Sequence, residues 1–113
     1  MAKACPQRIT ISVGETRNVY VNFTDELQSG DSISSVSSVT EQTTSDLTLA
    51  NEAVTTSTYV EDGTSDTVAI GKAVVFNVLG GTAANSPYTI RVTVVSDSSP
   101  AETFVKDCIL LWE

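Results

Sequence analysis

Apolar residues recur at every second position in short runs along the chain, and Ser and Thr fill many of the positions between them. A period of two is that of a strand with one face buried. In the stretch 8–13, Ile9, Ile11 and Val13 share one face, and Gly14-Glu15 breaks the run. Val19, Val21 and Phe23 then lie opposite Asn18, Asn22 and Thr24, and a polar loop from Asp25 to Asp31 follows. Between Ser32 and Thr40 the apolar residues Ile33, Val36 and Val39 are spaced by three, which predicts a bulged or short irregular strand. Leu47-Thr48-Leu49 and the β-branched stretch Val54 to Val60 predict two further short strands. Glu61 to Asp66, with Asp62-Gly63 inside it, predicts a chain reversal.

Beyond that turn, Val74, Phe76 and Val78 alternate up to Gly80-Gly81, and Asn85-Ser86-Pro87 completes a loop. Tyr88, Ile90, Val92 and Val94 against Thr89, Arg91 and Thr93 make the clearest strand, which ends in the turn Ser96 to Pro100. The last strand runs from about Glu102 to Trp112. It carries Phe104, Cys108, Leu110 and Trp112 on one face and Val105, Ile109 and Leu111 on the other. About seven short strands with turn signals every ~8–12 residues and no helical run predict an all-β, immunoglobulin-like β-sandwich. Residues 8–113 are expected to form that single domain and residues 1–7 an N-terminal arm. Phe76 and Ile90 are expected in its core. Tyr88 stands where such sandwiches often place a corner tyrosine, whose hydroxyl bonds back to the chain; the alternative is an ordinary cross-strand tyrosine.

Charge narrows the function. Six Lys and Arg against fourteen Asp and Glu leave a formal charge of −8. That sign is wrong for gripping phosphates, so neither nucleic acid nor a membrane surface is an expected partner. With no histidine in 113 residues, the usual general base, metal ligand and nucleophile partner are all missing, and no enzyme is expected. Asp62 to Asp66 has only a faint likeness to a calcium loop, and Asp25, Glu26 and Asp31 read as a solvated acidic loop, so neither a metal nor another cofactor is expected. Gly80-Gly81 lacks the lysine and helix of a phosphate-binding loop and reads as a turn needing backbone freedom. The N-terminus has no apolar run of secretory type and no stretch is long enough to span a membrane. Cytoplasmic synthesis favours reduced, buried thiols at Cys5 and Cys108, a staple between the terminal segments being the alternative.

The segment from Gly71 to Ala83 with its Gly80-Gly81-Thr82-Ala83 turn, followed by Tyr88-Thr89-Ile90-Arg91-Val92-Thr93-Val94, resembles the small Ig-like structural proteins of tailed bacteriophages. The opening Arg8 to Glu15 and the later Gly30-Asp31-Ser32-Ile33 are similar as well, and the resemblance covers most of 8–112. It departs from that pattern in the Ser-rich stretch 32–40 and in the apolar ending Leu110-Leu111-Trp112. The resemblance implies a non-enzymatic virion protein, assembled in the host cytoplasm and contacting other virion proteins, foremost as an adaptor between a fibre or tail component and the particle. The alternatives are a cement or decoration protein on the major capsid protein lattice, and an adhesin or carbohydrate-binding module. Self-association into a homo-oligomer is compatible with each.

Because the last strand is apolar on both faces, one set of its side chains is expected to seek another chain. Trp112 leads that expectation, with Leu111 and Ile109 beside it and Lys3 and Arg8 as weaker, salt-sensitive contributors. The alternative is that Trp112 and Leu111 close the domain's own core.

Overall fold

A computed structural model describes residues 4–5, 9–42, 46–60, 66–82 and 84–112. The described residues form an all-β sandwich. One four-stranded sheet has the order β1-β3-β8-β5, built from β1 (Ala4–Cys5), β3 (Arg17–Asn22), β8 (Ala73–Gly80) and β5 (Leu47–Val54). The facing sheet has the order β2-β10-β9-β4, from β2 (Ile9–Ile11), β10 (Thr103–Trp112), β9 (Tyr88–Ser96) and β4 (Ile33–Glu41). A short hairpin of β6 (Tyr59–Val60) and β7 (Thr67–Val68) stands beside them. Its two strands pair antiparallel, and of the stretch 61–66, where the sequence predicts a reversal, residues 61–65 lie outside the described residues.

The core lies between the two sheets and follows the alternation. Val19 and Val21 of β3 and Val74, Phe76 and Val78 of β8 meet Tyr88, Ile90, Val92 and Val94 of β9 and Cys108, Leu110 and Trp112 of β10. Phe76 and Ile90 are both buried, as their positions predict. Val13 departs from the pattern. It lies past the end of β2, in a turn closed by the Glu15 N–H on the Ser12 carbonyl, and is 56% exposed.

Two irregular strands explain what strict alternation could not. β4 runs for nine residues along β9, and its register shifts between Ile33 and Ser35 and again between Val36 and Ser38. Each shift inserts one residue between inward positions, so Ile33, Val36 and Val39 turn towards the core at every third residue and not every second. β5 does the same once. Its register against β8 slips between Ala50 and Ala53, where Asn51 has φ of 57°, and the inward set changes from Leu47 and Leu49 to Val54. The stretch from Val54 to Val60 is therefore not a single strand. It is the end of β5, the buried Thr55, an exposed turn and β6.

At the N-terminal side, Ala4 and Cys5 pair in parallel with Tyr20 and Val21, so the edge of one sheet falls inside the segment expected to be an arm. β2 pairs in parallel with Leu110, Leu111 and Trp112 on the other sheet. The chain thus contributes to both sheets within its first eleven residues.

Candidate protein-contact face

β10 sorts the expected contact residues by parity. Trp112 belongs to the inward set with Cys108 and Leu110 and is only 4% exposed. Its ring meets Tyr88 edge-on at 5.1 Å between centroids and 76° between planes, and its backbone N–H donates to Ser86 Oγ at 2.9 Å. Gly81 lies against the indole so closely that a Cβ there would sit 2.6 Å from Trp112 Cε2. The expectation that Trp112 is the leading contact residue is corrected by this geometry: its apolar area is already spent on the domain's own core. Lys3 and Arg8 lie outside the described residues.

Ile109 and Leu111 point the other way and are half-buried, with Val105 on the same face 54% exposed. The register of the sheet gives their surroundings. Leu111 stands beside Thr10, Ile109 beside Thr89, and Val105 beside Thr93, with Ser38 of β4 next to Thr93. Thr103 and Val95 form the next row. This solvent-facing side is therefore a field of aliphatic and hydroxyl side chains, kept in continuous rows because strands β9 and β10 pair without a register shift over eight rungs.

One ion pair crosses the middle of that field. Arg91 reaches Asp107 with both ends of its fork, Nε to Oδ1 at 2.9 Å and Nη2 to Oδ2 at 3.1 Å. The hydrogen bonds from Arg91 hold the Asp107 carboxyl below its usual value, against a smaller opposing effect of burial, with charge attraction adding to the lowering. The same contact raises the Arg91 guanidinium. Both partners are well exposed, so the pair adds little to stability. Its consequence is that, among the described residues, these two charges on the face balance each other on a chain of −8. Sequence reading missed the pair, yet a signal was available: the turn between β9 and β10 is centred near residue 99, which places 91 opposite 107.

The ends of the sandwich hold the polar groups. At one end the Tyr88 hydroxyl accepts the Thr82 N–H at 2.9 Å and donates to Asp46 Oδ2 at 2.9 Å, the backward bond expected of a corner tyrosine. Asn85 Nδ2 donates to the same Asp46 oxygen at 2.8 Å. Gly80 and Gly81 have φ of 89° and 83°, so this turn does require the backbone freedom the sequence suggested. At the other end Lys106 points inward from β10. It pairs with Glu26 at 2.9 Å, donates to the Asn22 carbonyl at 2.6 Å and lies 5.7 Å from the centre of the Phe23 ring. Glu26 is thereby a structural counter-ion. Among the described residues no group of three His, Cys, Asp or Glu is arranged to hold a metal. Of the calcium-like stretch only Asp66 is described, and it is exposed.

Cys108 is disulfide-bonded, contrary to the expectation of reduced thiols. The one other cysteine in the sequence is Cys5, on the strand that edges the facing sheet. The expectation of reduced thiols rested on cytoplasmic synthesis; a staple between the terminal segments was the alternative, and β1 and β10 come together in space.

No family model, no curated protein and no solved structure matches the chain.

Proposed function

We propose that this protein is a non-enzymatic structural component of a bacteriophage particle, acting by protein–protein contact, and that it joins a fibre or tail component to the particle. The observation that carries this reading is the outward row Val105, Ile109 and Leu111 on a strand paired to β9 without a register shift, set among threonines and crossed by a self-neutralising ion pair. Such a face suits a desolvating contact with another chain, because covering it strands no unpaired charge. Flanking charges on the rest of a −8 molecule would repel wrong, acidic partners without weakening the contact itself.

The disulfide at Cys108 supports the same reading. Disulfides persist where the surroundings are oxidising, and virion surfaces are among those places, whereas the cytoplasm keeps thiols reduced. The contact itself requires no cofactor.

The test is incorporation. Ile109→Glu or Val105→Glu places an unpaired carboxylate on the face without touching the core, and each variant should fold but fail to co-sediment with purified particles. A variant carrying either change that is incorporated at the parental level contradicts the proposal.

A further inference from the structure

The opposite face of the molecule, on the outside of the β1-β3-β8-β5 sheet, has a different chemistry. Asn18 of β3 and Asn77 of β8 are directly paired across the strands, and Asn51 reaches them from the bulge of β5. Their side-chain amides form one oriented chain: Asn51 Nδ2 donates to Asn77 Oδ1 at 2.5 Å, and Asn77 Nδ2 donates to Asn18 Oδ1. An oriented chain of three amides has ends of opposite kind. The Asn18 amide group is left as a donor and the Asn51 carbonyl as an acceptor, both at exposed positions.

Two residues further along β3 on the same face, Tyr20 stacks against Tyr59 with ring centroids 4.4 Å apart and planes tilted by 35°. Neither ring belongs to the core, and both are partly exposed. At the strand rise of ~3.3 Å per residue, the aromatic ledge and the amide chain lie about 7 Å apart. Around them Thr48, Val75 and Leu79 add no charge, and Glu52 at the bulge is the nearest acid in sequence.

We propose that this face binds a neutral oligosaccharide. A sugar ring offers an apolar C–H face to an aromatic ledge, and its hydroxyls are donors and acceptors at once, so they can satisfy the surplus donor at Asn18 and the surplus acceptor at Asn51 alike. An anionic or cationic ligand would find no counter-charge on the aromatic and amide groups themselves. A peptide has a row of three outward aliphatic side chains to meet on the other sheet, Val105, Ile109 and Leu111, whereas on this face Leu79 is the exposed large aliphatic residue of the described strands. This inference stands apart from the proposed particle contact, which uses the opposite sheet.

The experiment is an NMR titration of the folded chain with neutral oligosaccharides of glucose, N-acetylglucosamine, galactose and mannose, with a polyuronate and an extended neutral peptide as controls. At least one neutral sugar should give saturable shifts of the Asn18, Asn51 and Asn77 side-chain amides at concentrations up to ~10 mM, the range in which weak single-site contacts are read. Tyr20→Ala should weaken that binding about tenfold or more. Asn18→Asp, at an exposed position, should do so as well should Tyr20→Ala fail to fold. Val105→Glu on the other sheet should leave it unchanged. The proposal is overturned if no sugar in the panel gives saturable shifts, if the shifts map elsewhere, or if the polyuronate or the peptide binds this face in their place.

Discussion

Tyr88 and Trp112 meet edge-to-face at the end of the sandwich, on β9 and β10, and each is tied to the loop between β8 and β9 by a hydrogen bond of its own. The Tyr88 hydroxyl holds Thr82 and the Trp112 backbone holds Ser86, so the last strand is locked to a loop that precedes it by about twenty-five residues. This relationship makes the end of the chain part of the fold and leaves only the outward side chains of β10 for contact with other molecules.

The hydroxyl of Tyr88 therefore has a measurable worth. Tyr88→Phe leaves the ring in place but removes the acceptor for the Thr82 N–H and the donor to Asp46. Losing these two part-buried hydrogen bonds, at ~0.5–1.5 kcal/mol net for each, should show in urea unfolding as a loss of ~1–3 kcal/mol. A loss under about 0.5 kcal/mol would mean that water replaces the hydroxyl and that the corner is not structural.

Core membership of Trp112 is tested by Trp112→Ala, which should destabilise by ~3–5 kcal/mol, as should Phe76→Ala. Gly81→Ala should also be costly, because its φ of 83° disfavours a side chain and its Cβ would collide with the indole. Trp112→Ala melting within error of the parent would return the indole to the list of contact residues.

Reduction of the disulfide removes a cross-link that, by the two cysteine positions, spans a loop of about one hundred residues. Loop-closure entropy for such a length is worth ~4.7 kcal/mol in the simplest treatment and measured losses are typically ~2–5 kcal/mol. Reductant or Cys108→Ser should lower the urea midpoint accordingly. An unchanged midpoint would show that the bridge contributes nothing under those conditions.

Acid should act late on the outer face. Asp107 is held below its usual value of 3.8 by Arg91, and Glu15 below its usual 4.5 first by the Ser12 N–H and then by Arg17. A carboxylate with a lowered folded-state pKa contributes fully above its unfolded value, and the contribution fades as pH falls through the folded one. The Arg91–Asp107 pair should thus be present at neutral pH and be lost as pH falls through the lowered Asp107 value, with the midpoint of the Asp107 carboxyl carbon shift below 3.8. A midpoint above 3.8 would contradict the observed geometry.

Much of this architecture was legible in the residues, and what was not has identifiable causes. Alternation placed Tyr88 to Val94 and the two faces of β10 correctly, because both strands pair without a register shift and parity survives along their length. At Ile33, Val36 and Val39 the three-residue spacing pointed to a bulged strand, and two successive bulges produce it, although the strand runs for nine residues and is not short. The break after Val54 was invisible because Thr and Val favour strands whether or not a neighbour is present to pair with them. Two apolar faces on β10 were visible, but which face met the core depended on the partner sheet, and Trp112, rightly grouped with Cys108 and Leu110, was expected to lead an outside contact where it packs in the core. The amide chain of Asn18, Asn51 and Asn77 could not be read from the sequence at all. It depends on the bulge that brings Asn51 beside β8.

The central claim is that β10 divides its labour, with Cys108, Leu110 and Trp112 holding the fold and Val105, Ile109 and Leu111 holding a neighbour. A cryo-EM map of an intact particle carrying this protein tests it most directly. The account expects density in which the outer face of β9 and β10 is buried on another virion chain, at a junction with a fibre or tail component. A map that leaves Val105, Ile109 and Leu111 in solvent while the protein is held by its loops would contradict it, as would purified particles from which the protein is absent.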